Sequence, residues 1–455
     1  MMAVAGRVQP GARPARRPRA REPGGASGGP LLRRLFPNVY EGWLVVVAAA
    51  SITTFIGGAF FYGFGTIFNP IIDEFGWSVA ATSLAFSVRS EAGGIAAPVI
   101  GVAIDRLGPQ QVLIGGLALV CAGVLLTSYM ESIWHFYLAM VLIALGISSA
   151  SGPVGTVAAA SWFEARRGRA LALLSLGGAA AGVMTVPVAL LVDELGWRSA
   201  LRVLAVVVIV AGSLASINVR RRPPGHRQPM DGLRSAPDDA ATRGDPWGIP
   251  ARRAIRTRPF VLLALGLIAN GFGWTALIVH QVPFMESLGV SKAEAGSTVL
   301  AFALASVVGR LAGGWLADRY EKRVVLSGAI ALMALGIALM PLVHTLEQSY
   351  LVMLIVAPGF GGTAPLRPAL LADYFGTTSF GTIAGLSRLW VTIGSFGGPL
   401  TVGLIVDSGG GYAPGWLIAA AVVAAGIPLV LAARPPSDLI AYYRRPAGTR
   451  PGRAS

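Results

Sequence analysis

Charged residues are scarce in this sequence. Asp, Glu, Lys and Arg make up 13% of its 455 residues, whereas hydrophobic residues make up 54%. Soluble globular proteins are usually about a quarter charged, so this composition excludes an ordinary soluble domain and indicates a membrane protein.

Cysteine is also nearly absent, since Cys121 is the only one in the sequence. One cysteine excludes an intrachain disulfide and a thiolate metal site, and we expect Cys121 to be a small packed side chain. The sequence has no G-x4-G-K-[ST] phosphate-binding loop and no H-E-x-x-H or G-x-S-x-G signature. We therefore expect neither an ATP-driven pump of that type nor an enzyme, and we expect no metal or cofactor.

The basic residues outnumber the acidic ones. The formal net charge of +15 would suit a nucleic-acid-binding protein or a protein at an anionic membrane surface. The arginines, however, cluster in the tails and in a few loops instead of along a face with interleaved aromatic residues. We therefore expect a lipid bilayer and no nucleic acid among the partners.

Long apolar runs are abundant. A run of roughly 20 apolar residues can cross the hydrocarbon core as a helix. The sequence therefore predicts an all-α membrane protein with twelve transmembrane helices, six on each side of a polar stretch. We call these predicted helices spans 1 to 12, and they lie near 42–69, 79–104, 110–129, 134–160, 169–192, 199–218, 259–284, 293–317, 324–343, 350–372, 380–406 and 413–433.

The composition divides the chain into five predicted parts. The first part is poor in apolar residues and rich in Arg, Pro, Gly and Ala, which is typical of a disordered tail, and the Pro-rich middle part lacks the periodicity of a domain. The predicted parts are a disordered basic tail at 1–41, an N-terminal six-helix bundle at 42–218, a linker at 219–258, a C-terminal six-helix bundle at 259–433 and a basic tail at 434–455.

Arginine is distributed unequally between the two sets of loops. The tails, the linker and the loops after spans 2, 4 and 8 carry several bases, whereas the opposite loops carry Arg198 and Lys292. Loops rich in Lys and Arg stay in the cytoplasm. The sequence therefore predicts cytoplasmic termini and a cytoplasmic linker for a multi-pass protein of the plasma or inner membrane.

An internal repeat relates the two halves. The segment that ends in Asp105-Arg106 returns as the segment that ends in Asp318-Arg319, and the offset is 319 − 106 = 213 residues. Repeats of this length are typical of transporters whose two halves rock around a central site.

Six plus six predicted helices, a long loop between the halves and a G-x3-D-R-x-G loop after span 2 resemble the major facilitator superfamily over about 42–433. The resemblance implies a pseudo-symmetric fold of two six-helix bundles. In that family the loops of this kind pair across the cytoplasmic face and hold the outward-open state. Asp105, Arg106, Asp318 and Arg319 would therefore form a gate latch.

Other segments are similar to the branch that contains monocarboxylate transporters and oxalate–formate antiporters. The similarity lies at 280–283, at 306–310 and at 373–376. In that branch an arginine of helix 8 binds the substrate carboxylate, and Arg310 falls at that position. Monocarboxylate transporters have an acid one turn earlier, where this sequence has Ser306.

Ionisable residues within spans are costly, so they need a partner or a wet cavity. Arg310 lies eight residues before Asp318, and Arg388 lies eight residues after Phe380. At about 1.5 Å per residue both lie about 12 Å inside the membrane, near its midplane. Two guanidinium groups at one depth could grip a mono- or dicarboxylate, although either arginine could instead cap backbone carbonyls or pair with a structural acid.

Arg310 and Arg388 also break the internal repeat. The offset is 213 residues at Arg310 and 212 residues from Phe375 onward, where Phe375 repeats Phe163, so the counterparts in the first half are Ala97 and Leu176. Charges that only one half carries are better candidates for substrate recognition than for shared scaffold. Arg367 lies nearer the end of its span.

Span 2 carries two further ionisable residues in its outer half, Arg89 and Glu91. Arg89 could help to bind the anion. A carboxyl group at the depth of Glu91 could carry a proton, and a structural salt bridge to an arginine of another helix is the alternative.

Four other residues are candidates for the cavity or its outer gate. His280 could couple protons near neutral pH, or it could form a hydrogen bond at the outer gate. Tyr62, Asn270 and Trp274 lie at glycine-rich places in spans 1 and 7, where they could line the substrate cavity or simply pack.

The sequence thus predicts a secondary active transporter of a small organic anion. It would work by alternating access, as a proton symporter or as an exchanger with a counter-anion, and would function as a monomer. The alternatives are an exporter of drugs or other metabolites and a membrane sensor built on a transporter scaffold. Exporters of cationic drugs usually need buried acids, and the short Pro-rich loop and tails offer no recognisable output domain.

Overall fold

The computed structural model describes residues 38–62, 66–223, 230–232 and 247–444. Most of the predicted N-terminal tail therefore lies outside the described residues, and so do the side chains of Tyr62 and Glu91. The helices are α1 Glu41–Gly57, α2 Phe68–Phe75, α3 Val79–Leu107, α4 Pro109–Ser128, α5 Ile133–Ala150, α6 Pro153–Trp162, α7 Arg167–Ala180, α8 Thr185–Leu195, α9 Trp197–Ser216, α10 Ala251–Ala254, α11 Arg258–Ser287, α12 Lys292–Ala317, α13 Lys322–Leu339, α14 Leu346–Phe375, α15 Phe380–Ile405, α16 Tyr412–Ala432 and α17 Ser437–Arg444.

The predicted all-α architecture is confirmed. Within the described part of the chain, 11 helices are long and apolar enough to cross a membrane, and β pairing is confined to an isolated bridge between Gly248 and Gly376. The 29-residue helix α3 lies where span 2 was predicted, and its charged residues lower its hydropathy. The count of twelve spans and the cytoplasmic location of the termini stay predictions.

Local sequence signals explain where the helices begin and end. The side chain of Ser291 accepts a hydrogen bond from the backbone of Glu294, whose carboxylate bonds back to Ser291, and this capping box starts α12. Gly108 has φ +87, a conformation that L side chains rarely adopt, and it separates α3 from α4 in a single residue. The Gly108 turn therefore fixes the loop that follows Asp105.

Small residues let the helices of each half pack closely, as expected where helices associate in lipid. In the first half, a Cβ on Gly146 of α5 would lie 2.6 Å from the backbone nitrogen of Val120 on α4. In the second half, a Cβ on Gly359 of α14 would lie 2.6 Å from the backbone nitrogen of Met333 on α13. The glycine-rich sequence thus serves close helix packing at these crossings.

The two halves meet mainly along two pairs of helices, and α14 also contacts α7. α3 packs against α15, where a Cβ on Gly101 would lie 2.2 Å from the carbonyl oxygen of Gly381, and a Cβ on Gly385 would lie 2.2 Å from the carbonyl oxygen of Ala97. Backbone therefore touches backbone along this interface. Any side chain larger than hydrogen at these glycines would force the halves apart.

α7 and α12 form the second contact between the halves. A Cβ on Gly168 would lie 2.3 Å from the carbonyl oxygen of Gly314, and a Cβ on Gly314 would lie 2.4 Å from Cβ of Ala172. Both interfaces extend to the end of the bundle that carries Asp105 and Asp318, which we call the latch face, where Gly101 meets Gly381 and Gly168 meets Gly314. The halves are therefore closed at the latch face.

Candidate functional site

Asp105 lies in the last turn of α3 and caps a helix of the other half. Its carboxylate accepts hydrogen bonds from the backbone nitrogens of Gly381, at 2.9 Å, and Thr382, at 2.7 Å, and from the hydroxyl of Thr382 at 2.7 Å. Arg221 of the linker donates to the same carboxylate at 2.8 Å. The N–H groups in the first turn of α15 have no intrahelical acceptor, and this end of the helix carries a partial positive charge. The carboxylate supplies the missing acceptor and a compensating negative charge.

Asp318 makes the equivalent contact from the second half to the first half. It follows α12 and accepts hydrogen bonds from the backbone nitrogens of Gly168, at 2.7 Å, and Arg169, at 3.2 Å, in the first turn of α7. The guanidinium of Arg169 pairs with the same carboxylate at 3.2 Å. Burial raises the pKa of Asp318 above its ordinary value, although the two backbone hydrogen bonds act in the opposite direction.

The two acids of the repeat thus bind helix N-termini of the opposite half. The basic residues beside them, Arg106 and Arg319, do not bind these helix N-termini in the described part of the chain. Arg106 is exposed, and the guanidinium of Arg319 lies 3.9 Å from the ring centroid of Trp315. Sequence reasoning identified the loop, but the partners of its acids are backbone groups, which no side-chain pattern reveals.

A further ion-pair network at the latch face was not predicted. Asp373, near the end of α14, pairs with Arg167 of the other half at 2.5 Å and with Lys322 at 2.6 Å. Arg167 is buried, and its Nε donates to the carbonyl oxygen of Phe163 at 2.9 Å. Asp373 falls in a segment with a family resemblance, but its pairing with Arg167 depends on the tertiary fold.

The linker contacts both halves at the latch face. Backbone N–H groups of residues 164–166, which precede α7, donate to the buried carboxylate of Asp231 at 2.9–3.1 Å. At the other end of the linker, the backbone nitrogen of Ile249 donates to the carbonyl oxygen of Phe375 at 2.8 Å, and Thr377 donates to Trp247 at 2.7 Å. The linker therefore binds equivalent loops of the two halves.

An aromatic cluster surrounds Phe360 of α14 at the middle of the bundle. Its ring centroid lies 5.2 Å from that of Trp274 and 5.3 Å from that of Phe302. The guanidinium carbon of Arg310 lies 5.9 Å from the same ring centroid, and Arg310 donates to the carbonyl oxygen of Ser175 in the other half at 3.1 Å. The structure thus brings Arg310 and Trp274 to one aromatic side chain at the junction of the halves.

Arg388 lies on the face of α15 that meets the first half. It falls between Gly385 and Thr392, both of which contact α3, and its side chain is exposed. The charge of Arg388 interacts with that of Arg367 on α14. Two guanidinium groups are therefore neighbours beside the interface of the halves.

Arg89 is buried and held by a distorted part of the first span. Its guanidinium donates to the carbonyl oxygen of Phe60 at 2.6 Å. Phe60 belongs to a π-helical turn, Gly58–Tyr62, that follows α1. π-helical turns loosen the regular hydrogen-bond ladder and are frequent at functional sites.

Asn270 and His280 lie in separate contacts within the second half. The side-chain nitrogen of Asn270 lies 3.8 Å from the sulfur of Met333, on the side of α13. Nε2 of His280 lies 2.9 Å from the carbonyl oxygen of Pro399, and its ring is 5.9 Å from that of Tyr412. The structure therefore does not bring these two residues to the aromatic cluster. No group of three or more His, Cys, Asp or Glu side chains that could hold a metal ion occurs among the described residues.

Comparisons with known proteins bear on this arrangement. The family model described as Major Facilitator Superfamily matches residues 50–284 and 263–441. Monocarboxylate transporter 13 of Rattus norvegicus is 26% identical over 399 residues, covering 86% of this chain and 88% of the relative. Monocarboxylate transporter 12 of the same organism is 26% identical over 418 residues, covering 84% and 83%.

A bacterial relative and a solved structure are similar as well. The uncharacterized MFS-type transporter YcxA of Bacillus subtilis is 25% identical over 374 residues, covering 80% of this chain and 87% of the relative. The crystal structure of the E. coli fucose:proton symporter FucP matches with a TM-score of 0.64 at 14% sequence identity, covering 87% of this chain and 98% of that one. At that identity the likeness shows a shared fold.

Proposed function

The chain belongs to the major facilitator superfamily, and from this premise we propose that it carries a small organic anion, a mono- or dicarboxylate, across the membrane. Members of the family are multi-pass membrane transporters of small molecules and not enzymes. The proposal adds the class of substrate, the residues that bind it and alternating access of the site to the two sides of a cell membrane.

The position of Arg310 carries the proposal. The backbone of Arg310 lies about 12 Å from the latch face, and its guanidinium lies beside the ring of Phe360 and donates across the junction of the halves to Ser175. A guanidinium can grip a carboxylate through two parallel hydrogen bonds and can stack on an aromatic ring. Relatives named monocarboxylate transporters support an anionic substrate.

Alternating access follows from the contacts at the latch face. Asp105 and Asp318 hold the first turns of α15 and α7, each of which belongs to the other half. When the latch face opens, these contacts break, and so does the bond from Arg310 to Ser175. A carboxylate bound to Arg310 can then take the place of the Ser175 carbonyl, which links substrate binding to the movement of the halves.

We assign the other predicted residues to the substrate site or to proton coupling. Arg388, Trp274 and Arg89 are the side chains that we expect next to the anion, and Tyr62 and Asn270 complete the predicted set. Glu91 and His280 remain the candidates for proton coupling in the case of symport, and exchange against a counter-anion is the other mode. We further propose cytoplasmic termini and a functional monomer.

The experiment is carboxylate uptake into vesicles that contain the purified protein. Arg310→Ala removes the guanidinium and should lower uptake by about a hundredfold, because a charge-assisted pair in a desolvated site contributes about 3 kcal/mol. Arg202→Ala is the matched control, since Arg202 lies over the ring of Tyr129 in the first half. Uptake by Arg310→Ala at the wild-type rate, with normal insertion, would contradict the role of Arg310.

A further inference from the structure

A third arginine, Arg367, lies at the depth of Arg310 and Arg388. Arg367 is eight residues before Phe375, where α14 ends, just as Arg310 is eight residues before Asp318. At about 1.5 Å per residue, all three arginines lie about 12 Å from the latch face. α14 packs against both α12 and α15, so the three arginines lie at one level on neighbouring helices.

Arg367 lies on the face of α14 that carries Phe360. The two residues are seven apart, and a helix returns to within about 20° of the same direction after seven residues. Phe360 contacts Trp274, Phe302 and Arg310. Arg367 therefore follows the aromatic cluster by two turns on the way to the latch face.

Arg388, whose charge interacts with that of Arg367, is also positively charged. Arg367 is partly buried and interacts with Arg388, and in the described part of the chain it has no hydrogen bond or ion pair. A charge within the membrane is costly unless an opposite charge compensates it. A carboxylate bound between Arg367 and Arg388 would relieve the repulsion between their guanidinium groups, and a second carboxylate of the same molecule would compensate the charge of Arg310.

The internal repeat supports a role in recognition. At the offset that relates Phe163 to Phe375, 375 − 163 = 212, Arg367 corresponds to Gly155. Gly155 lies in helix packing, where an added Cβ would be 3.1 Å from Cβ of Ala49. A charge that replaces a packing glycine in only one half belongs to the asymmetric part of the protein, together with Arg310 and Arg388.

We propose that Arg367 and Arg388 form a two-arginine subsite that binds one carboxylate of a dicarboxylate whose other carboxylate binds Arg310. Arg367 is then a specificity-determining residue, and the substrate is a doubly charged anion. This inference rests on the proposed function, because it assumes that Arg310 and Arg388 bind the transported anion.

The test compares each dicarboxylate with its own monoamide, which has the same length and shape but one negative charge fewer. The pairs are oxalate and oxamate, malonate and malonamate, and succinate and succinamate. Binding is measured by calorimetric titration of the purified protein, and exchange is measured by counterflow of the labelled dicarboxylate in vesicles. For the best-bound chain length, the wild type should bind the diacid at least about tenfold more tightly than the monoamide.

Arg367→Gln keeps a polar side chain of similar length and removes the charge. It should weaken diacid binding about tenfold. It should change the binding of the monoamide, whose single carboxylate binds Arg310, less than about threefold, so that the ratio falls toward one. Arg367→Lys keeps the charge without the two-pronged geometry and should retain an intermediate ratio. Arg202→Gln is the matched control and should retain the wild-type ratio.

The outcomes separate the two proposals. If the wild type neither binds nor exchanges any carboxylate, the proposed function fails and the inference fails with it. If carboxylates bind but the wild type shows no preference for diacids, or if Arg367→Gln keeps the wild-type preference, the two-arginine subsite is wrong and the proposed function stands. A wild type without a preference for diacids contradicts the subsite even where a variant does not fold.

Discussion

The latch at Asp105 allows a quantitative prediction. Asp105→Asn keeps the shape of the side chain and one carbonyl oxygen but removes the negative charge. In the wild type one carboxylate oxygen accepts from Gly381 at 2.9 Å, and the other accepts from the backbone and hydroxyl of Thr382 at 2.7 Å. The amide NH2 of asparagine cannot accept a hydrogen bond, so at least one backbone donor of α15 loses its partner.

The magnitude follows from the contacts that disappear. One hydrogen bond to a charged acceptor contributes about 1.5–3 kcal/mol, and the attraction between a carboxylate and a helix N-terminus adds about 0.3–1 kcal/mol. The sum is about 2–4 kcal/mol, which corresponds to about 30-fold to several hundredfold in an equilibrium constant. Because Asp105 and Thr382 belong to different halves, the whole loss falls on the arrangement in which the latch face is closed.

The assay is a spin-label distance measurement across the latch face. Cys121 is the only cysteine, so Cys121→Ser gives a background into which two labels are introduced, at the exposed positions Gln111 and Tyr320 of the two halves. The wild type should show mainly a short distance. Asp105→Asn should show mainly a longer one, while Asp73→Asn, an exposed aspartate outside the latch, should resemble the wild type. An unchanged distribution in Asp105→Asn would contradict the prediction that the interhalf cap decides between the closed and the open arrangement.

Two other predictions concern the interface and the opposite end of the bundle. Gly385→Ala should lower transport severely, since its Cβ would lie 2.2 Å from the carbonyl oxygen of Ala97, whereas Gly328→Ala, with open space around it, should transport normally. Vesicle uptake tests both variants, and equal rates would contradict the backbone contact. The hydrogen bond from Arg198 holds the pKa of Glu74 below its usual 4.5, so this pair stabilises the protein above about pH 4.5 and is lost as the pH falls through the lowered pKa. The melting temperature of the wild type should therefore fall relative to that of Glu74→Gln over this range, and parallel curves would refute the contribution of the pair.

The repeat and the latch acids could be predicted from the sequence, but their partners could not. The offset between Asp105 and Asp318 placed the two acids in equivalent loops, and both lie at the junction of the halves. Their partners are backbone N–H groups of α15 and α7. Every residue has such groups, so only the tertiary fold shows which ones meet the acids.

The depth of Arg367 was difficult to predict because helix ends are difficult to place from hydropathy. The apolar run of span 10 ends at 372, which put Arg367 close to the edge of the membrane. In the structure α14 continues to Phe375, and Asp373 in its last turn pairs with Arg167 and Lys322. Those three extra residues bring Arg367 to the depth of Arg310.

Glycines in a span do not by themselves distinguish a residue that lines a cavity from one at a close helix crossing. Asn270 was a candidate because glycines follow it, but an added Cβ at Gly271 would lie 2.4 Å from the carbonyl oxygen of Val391, and one at Gly273 would lie 2.1 Å from the side chain of Val423. These glycines serve close packing of α11 against α15 and α16. A run of glycines in one sequence does not show whether a neighbouring helix or a cavity lies beside it.

The most direct test of the central claim is uptake of labelled mono- and dicarboxylates into vesicles that contain the wild-type protein, with and without an imposed pH gradient. The proposed function predicts saturable accumulation of at least one carboxylate above protein-free vesicles. A pH gradient that drives accumulation would indicate proton symport, and a requirement for internal anion would indicate exchange. Transport of a neutral or cationic compound, with no carboxylate of the panel moving above the background, would contradict the claim that this protein carries organic anions.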